Sequence, residues 1–114
     1  MLKNLFFVCI LVAATVPFST AQSASFNCRY AKLAAEIAIC QSRELHILDE
    51  KMAGKYVRLK QHLGGAVWRN LRNEQRHWQR RRNNCGYDNI CIEDSYVYRI
   101  RALNHWLYEY NLGG

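Results

Sequence analysis

The sequence predicts an all-α fold, a small antiparallel bundle of one short and three long helices braced by two disulfides. Three observations carry this. Apolar residues recur at spacings of three and four over most of the chain. The stretch after residue 21 contains no proline, and four cysteines lie in two close pairs, Cys28 with Cys40 and Cys85 with Cys91.

The first segment reads as an export signal spanning 1–21. Lys3 gives a positive start, Leu5 to Val16 is an almost unbroken apolar run, and Ser19-Thr20-Ala21 places small residues before a cleavage point. The run is shorter than the roughly 20 residues that span a bilayer, so no transmembrane anchor is expected. Cys9 lies inside the run and is removed with it. Cleavage after Ala21 leaves Gln22 as the new N-terminus and one domain, 22–114, small enough for cross-links to matter. It also puts the remaining cysteines in an oxidising compartment, periplasmic or extracellular.

Within the domain, residues 22–27 form a polar lead-in. Cys28 to Cys40 is rich in alanine, with Leu33, Ala34, Ile37 and Ala38 as the expected apolar face. Were this stretch one straight helix, its ends would stand ~18 Å apart at 1.5 Å per residue, whereas a disulfide needs Cα atoms within ~7 Å. Either the chain folds back before about Leu33, or these two cysteines pair with the other two.

Ser42 is a good N-cap, and Glu44 follows in the first turn, where negative charge favours the helix dipole. Leu45, Leu48, Met52, Tyr56, Leu59 and Leu63 then form one stripe over about five turns. Gly64-Gly65 breaks it. Val67, Leu71, Gln75, Trp78 and Arg82 mark the inner or boundary side of the next helix, which runs to about Asn84. Residues 86–89 read as a turn, with Asp88 or Asn89 capping a last helix whose inner face is Ile92, Tyr96, Ile100, Leu103, Leu107 and Tyr110. Residues 111–114 read as a frayed tail. Short links make consecutive helices antiparallel neighbours, so Cys40, Cys85 and Cys91 gather at one end, and Cys85 and Cys91 flank a corner that a bridge closes easily.

Four stretches together resemble the LprI-like lysozyme-inhibitor family of small exported bacterial proteins. They are FNCRYAKLAAEIAIC followed by QSREL; LDEKMAGKY, with Leu48, Asp49 and Tyr56; LRNEQRHWQRRRNNCG, with Leu71, Glu74, Gln75, Arg76, Trp78, Arg82, Cys85 and Gly86; and CIEDSYVYRIRAL, with Cys91, Tyr96, Arg99, Ile100 and Leu103. The resemblance covers nearly all of 27–103. It implies a helical domain in the periplasm or outside the cell. It also implies the pairing Cys28–Cys40 and Cys85–Cys91, because family members often carry a proline near the position of Ala34, which suits a helix that starts late. The implied activity is binding to an animal-type lysozyme and blocking its cleft.

Charge bears on that activity. The chain carries +7, of which Lys3 leaves with the leader, and an excess of this size favours anionic partners. Animal-type lysozymes are themselves basic, so binding one calls for a local acidic surface. Glu44, Asp49 and Glu50 form one candidate; Asp88, Glu93 and Asp94, beside the Cys85–Cys91 corner, form the preferred one. The alternative function is an envelope binding module. Its Arg69, Arg72, Arg76 and Arg80, with Arg81 and Arg82 adjoining, would grip an anionic polymer or an acidic protein partner.

Glu74 is expected to pair with Arg99 or Arg101 while Trp78 fills the core. The aromatic-rich last third serves packing through Tyr96 and Tyr110, and nucleic acid is not expected as a partner. His46, His62, His77 and His105 give no i, i+4 metal pair, and the cysteines lack the C-x2-C spacing of a zinc site. No nucleophile–base motif or phosphate loop is present. No catalytic residue, metal or cofactor is therefore assigned, and the oligomeric state stays open.

Overall fold

The computed structural model describes residues 25–113. The predicted leader, Cys9 and the expected new N-terminus at Gln22 lie outside the described residues. Among those described there are four α-helices and one 3-10 turn, and no strand. The helices are α1 (Ala34–Gln41), α2 (Arg43–His62), α3 (Gly65–Asn83) and α4 (Asn89–Glu109), preceded by the turn Cys28–Tyr30.

The first cysteine pair is bridged because the chain folds back. Asn27 caps the 3-10 turn by accepting from the Arg29 N–H at 2.9 Å, Ala31 and Leu33 are extended, and α1 begins only at Ala34. Leu33 stands at the N-cap, its N–H reaching Glu36 Oε1 at 3.4 Å. Ala34 thus occupies the first helical position, the one where proline is best tolerated. Cys28 and Cys40 come within 5.7 Å at Cα and are bonded; Cys85 and Cys91, at 5.6 Å, form the second bridge.

The buried face of α1 is Ala35, Ala38 and Ile39. Ala38 was expected there. Leu33 was not expected outside it, yet it is 49% exposed, because it precedes the helix and does not share its periodicity.

Ser42 ends α1 and caps α2 at once, its Oγ accepting from the Leu45 N–H at 3.3 Å. The α2 stripe is realised as read: Leu45, Met52 and Leu59 are buried, and Leu48, Tyr56 and Leu63 pack against the core. On α3, Leu71, Gln75, Trp78 and Arg82 are buried. Asp88 caps α4 by accepting from the Cys91 N–H at 3.1 Å, and Ile92, Tyr96, Leu103 and Leu107 face inward.

Two expectations are corrected. Tyr110 is 41% exposed and stacks on Trp106, with ring centroids 5.7 Å apart, instead of entering the core. Residues 111–112 are a formed helix stop, not a frayed end. Asn111 takes a left-handed φ of 55°, Leu112 N–H reaches Leu107 C=O at 2.8 Å, and Asn111 N–H reaches Tyr108 C=O at 3.1 Å. That is the Schellman pattern, and Leu112 packs on the core as its hydrophobic partner.

The neighbours also differ from simple succession. The closest backbone approach of α2 is to α4, while α3 packs on α4. Asp49 meets Tyr96 near the start of α2 and α4, and Gly113 lies beside Arg58 near their ends. These two helices therefore run in the same direction, with α3 returning against them. Between α2 and α3 the space is bridged by long side chains, such as Gln75 to Met52 and Trp68 to Tyr56. Bulk on α3 holds the two backbones apart and leaves a groove.

Candidate functional site

Three places were singled out by sequence: the buried motif residues, the acidic corner and the arginine stripe. The motif residues come together in two buried polar clusters. In the first, Asp49 of α2 is fully buried. It accepts from Tyr96 Oη at 2.7 Å, from Ser25 Oγ at 2.6 Å and from the Ser25 N–H at 3.4 Å. Arg82 Nη1 stands 3.9 Å away and donates to Tyr96 Oη at 3.1 Å. The guanidinium lies over the rings of Phe26, Trp78 and Tyr96, whose faces attract a cation. Burial, more than any neighbouring charge, pushes the Tyr96 hydroxyl far above its usual pKa.

In the second cluster Arg99, 1% exposed, donates from Nη1 to Glu74 and from Nε to Gln75 Oε1 at 2.7 Å. Trp106 Nε1 reaches both Glu74 oxygens at 3.3 Å. Of the two partners the sequence offered for Glu74, Arg99 and Arg101, the pair is formed with Arg99. Asp49 is a correction: a carboxylate this deep cannot present charge to a partner. It sits four residues after Leu45 and three before Met52, inside the apolar stripe, and that position is the signal of its burial. These clusters fix the crossings of α2, α3 and α4, and their work is structural.

The acidic corner is on the surface. Asp88, Glu93 and Asp94 are exposed, although Asp88 also spends an oxygen on the α4 cap. Beside them stand Tyr87 at 66% and Ile90 at 74% exposure, held out by the Cys85–Cys91 bridge and by Gly86, whose φ of 60° an L side chain rarely adopts. Tyr87 and Asn89 share a shallow depression with Ala38, Gln41 and Ser42, so the α1–α2 junction borders the corner and Glu44 follows on the same end. A second depression joins Asp94 to Arg81, Ser95, Tyr98 and both cysteines. The corner is thus acidic and apolar, with one arginine on its edge.

The arginine stripe divides. Arg69, Arg76, Arg80 and Arg81 are exposed, Arg72 is half-buried, and Arg82 is buried. Arg80 contacts His77 Nδ1 at 2.9 Å, and none of the four exposed arginines has a carboxylate partner among the described residues. No group of three or more metal-binding side chains occurs among the described residues, and none of the described helices is long and apolar enough to cross a membrane.

Compared with known proteins, residues 27–103 match a family model described as "Lysozyme inhibitor LprI". No curated protein and no solved structure matches the chain significantly.

Proposed function

The chain belongs to the LprI family of lysozyme inhibitors, and from that premise we propose that it is an exported, non-enzymatic protein that binds an animal-type lysozyme through its Cys85–Cys91 corner. Its two disulfides suit a periplasmic or extracellular setting. The observation that carries the choice of surface is the pairing of exposed apolar side chains, Tyr87 and Ile90, with the exposed carboxylates of Asp88, Glu93 and Asp94. Apolar anchors ringed by complementary charge are the usual make-up of a binding hot spot. The rest of the surface carries excess positive charge that repels a basic enzyme, so encounter favours this end.

The test is a titration of lysozyme-driven cell-wall lysis with the purified mature chain, at low and at physiological salt. Inhibition relieved by Glu93→Lys with Asp94→Lys, and kept by Arg72→Glu with Arg76→Glu, is the expected result. Repulsion between two basic proteins is strongest at low salt, so silence under both conditions defeats this reading.

One observation favours a second reading, the envelope binding module. Arg69, Arg76 and Arg80 stand exposed on one helix without carboxylate partners among the described residues, and with the half-buried Arg72 they form a cationic row that suits an anionic polymer. Retention by such a polymer, lost in Arg72→Glu with Arg76→Glu and indifferent to Glu93→Lys, separates it from the first.

A further inference from the structure

The outer face of α4 runs on from the corner to the far end of the helix, and no other described element covers it. Opposite the buried line from Ile92 to Leu107, Ile90, Asp94, Val97, Arg101 and Tyr108 form a second line at helical spacing, with Tyr98 beside it. Ile90 is 74%, Tyr98 63%, Tyr108 80% and Val97 38% exposed. A single apolar side chain on a surface is ordinary. Four along one helix, on the side turned away from the core, form a patch.

The charges on this face are sorted along its length. Asp94 lies toward the start and Arg101 toward the end, and neither has an ion-pair partner among the described residues. Arg99 takes the Glu74 carboxylate, which leaves Arg101 on the surface. His105 is engaged by Glu109 of the same helix at 3.5 Å. Asp94 and Arg101 are equally far from the midpoint between Val97 and Tyr98. Laid antiparallel on a copy of itself about that midpoint, α4 sets Asp94 against Arg101 twice, with Val97 against Tyr98 between them. The same register brings Ile90 of each copy over the turn from His105 to Tyr108 of the other. A two-fold interface requires this self-complementarity, in which the same two residues meet in both directions.

We propose that the outer face of α4 pairs antiparallel with the same face of a second copy of this chain, forming a symmetric dimer. Helices crossing at about 20° keep such a row in contact over several turns. A basic protein fits this face less well, because Arg101 stands within it. The excess positive charge of the chain opposes the approach of two copies at long range, and the two Asp94–Arg101 pairs offset that opposition at contact. Ile90 and Asp94 belong also to the corner assigned to lysozyme, so the dimer closes that corner. This consequence alone rests on the lysozyme reading; the dimer does not.

The experiment follows the mass of the mature, disulfide-bonded chain against its concentration by sedimentation equilibrium at physiological salt. No lysozyme is present, so failure of either reading leaves the other standing. The expected result is a reversible monomer–dimer equilibrium. Asp94→Arg and Arg101→Asp should each weaken it at least about tenfold, since like charges then face each other at both contacts. Mixed in equal amounts, the two variants should dimerise with each other, because every contact again joins opposite charges. Arg101→Asp is the sharpest single change. It lowers the net positive charge, so association governed by overall repulsion alone would tighten. Tightening by Arg101→Asp, a mixture no tighter than its separate components, or association that continues beyond the dimer each overturns the proposal. A chain that stays monomeric at every concentration overturns it as well. Should that monomer lose lysozyme inhibition in Val97→Lys with Tyr98→Lys, the face belongs to the enzyme and not to a second copy.

Discussion

Tyr96 donates its hydroxyl hydrogen to Asp49 at 2.7 Å across the interface of the two helices that run in the same direction. That bond joins a wholly buried carboxylate to a wholly buried ring, and Arg82 completes the cluster from the third helix. Helices running the same way gain nothing from their end dipoles, so side-chain contacts must specify their register. Here a buried polar bond near the start of both helices contributes to it, beside the apolar packing of their facing sides.

Tyr96→Phe should therefore destabilise the protein by about 1–3 kcal/mol, the cost of leaving a buried acceptor short of a donor. Denaturant unfolding with both disulfides intact measures it. Asp49→Leu should cost more, because it also strands Arg82 and removes the acceptor of the Ser25 hydroxyl.

The pH dependence follows from the same tyrosine. Its folded pKa is raised by burial above the ordinary tyrosine value of 10.0, so above pH 10 the folded state holds a proton that the unfolded state has lost. This contribution is full below pH 10 and declines as pH rises beyond it. Tyr56, raised in the same direction, adds to the decline. Unfolding curves from pH 8 to 11 should show stability falling at the alkaline end, and Tyr96→Phe should flatten that slope.

Glu74→Gln should cost about 2–3 kcal/mol. The value lies below the about 3–5 kcal/mol for breaking a fully buried ion pair because Glu74 is 42% exposed while Arg99 is 1% exposed. Trp106 loses part of its acceptor in the same variant, so its fluorescence should shift in the native state.

Removal of either disulfide should lower stability according to the loop it closes. The separations are 12 residues for Cys28–Cys40 and 6 for Cys85–Cys91, for which chain entropy gives about 3 and about 2 kcal/mol. Paired serine variants test both. Loss of Cys85–Cys91 should also impair lysozyme inhibition more than its stability cost accounts for, since that bridge holds Tyr87 and Ile90 outward.

Ile90→Ala should weaken inhibition by about tenfold or more with little change in melting temperature, as expected for an anchor that is exposed until a partner covers it. Inhibition equal to that of the unaltered chain would move the contact away from the corner.

The sequence by itself determined the helices and their ends, because these depend on local periodicity and capping: the α2 stripe from Leu45 to Leu63, the caps at Ser42 and Asp88, and the break at Gly64-Gly65. It also carried the family resemblance, and the structure explains why that was legible. Asp49, Glu74, Gln75, Trp78, Arg82, Tyr96 and Arg99 are the residues that hold the helices to one another, so the motif records the packing of the fold. The sequence placed Arg82 on the inward side of its helix, and the place of Asp49 inside the α2 stripe signals burial; tertiary structure decided how completely each charge is withdrawn from a partner. Asp49 and Glu50 adjoin in sequence, yet one is fully buried and the other exposed; Arg81 and Arg82 divide in the same way. A turn of 100° per residue separates them, and the approach of a neighbouring helix fixes how far each is covered. The direct packing of α2 on α4, and the groove it leaves beside α3, likewise had no signal in the chain. They arise from the bulk of side chains that meet only when three helices close on one another.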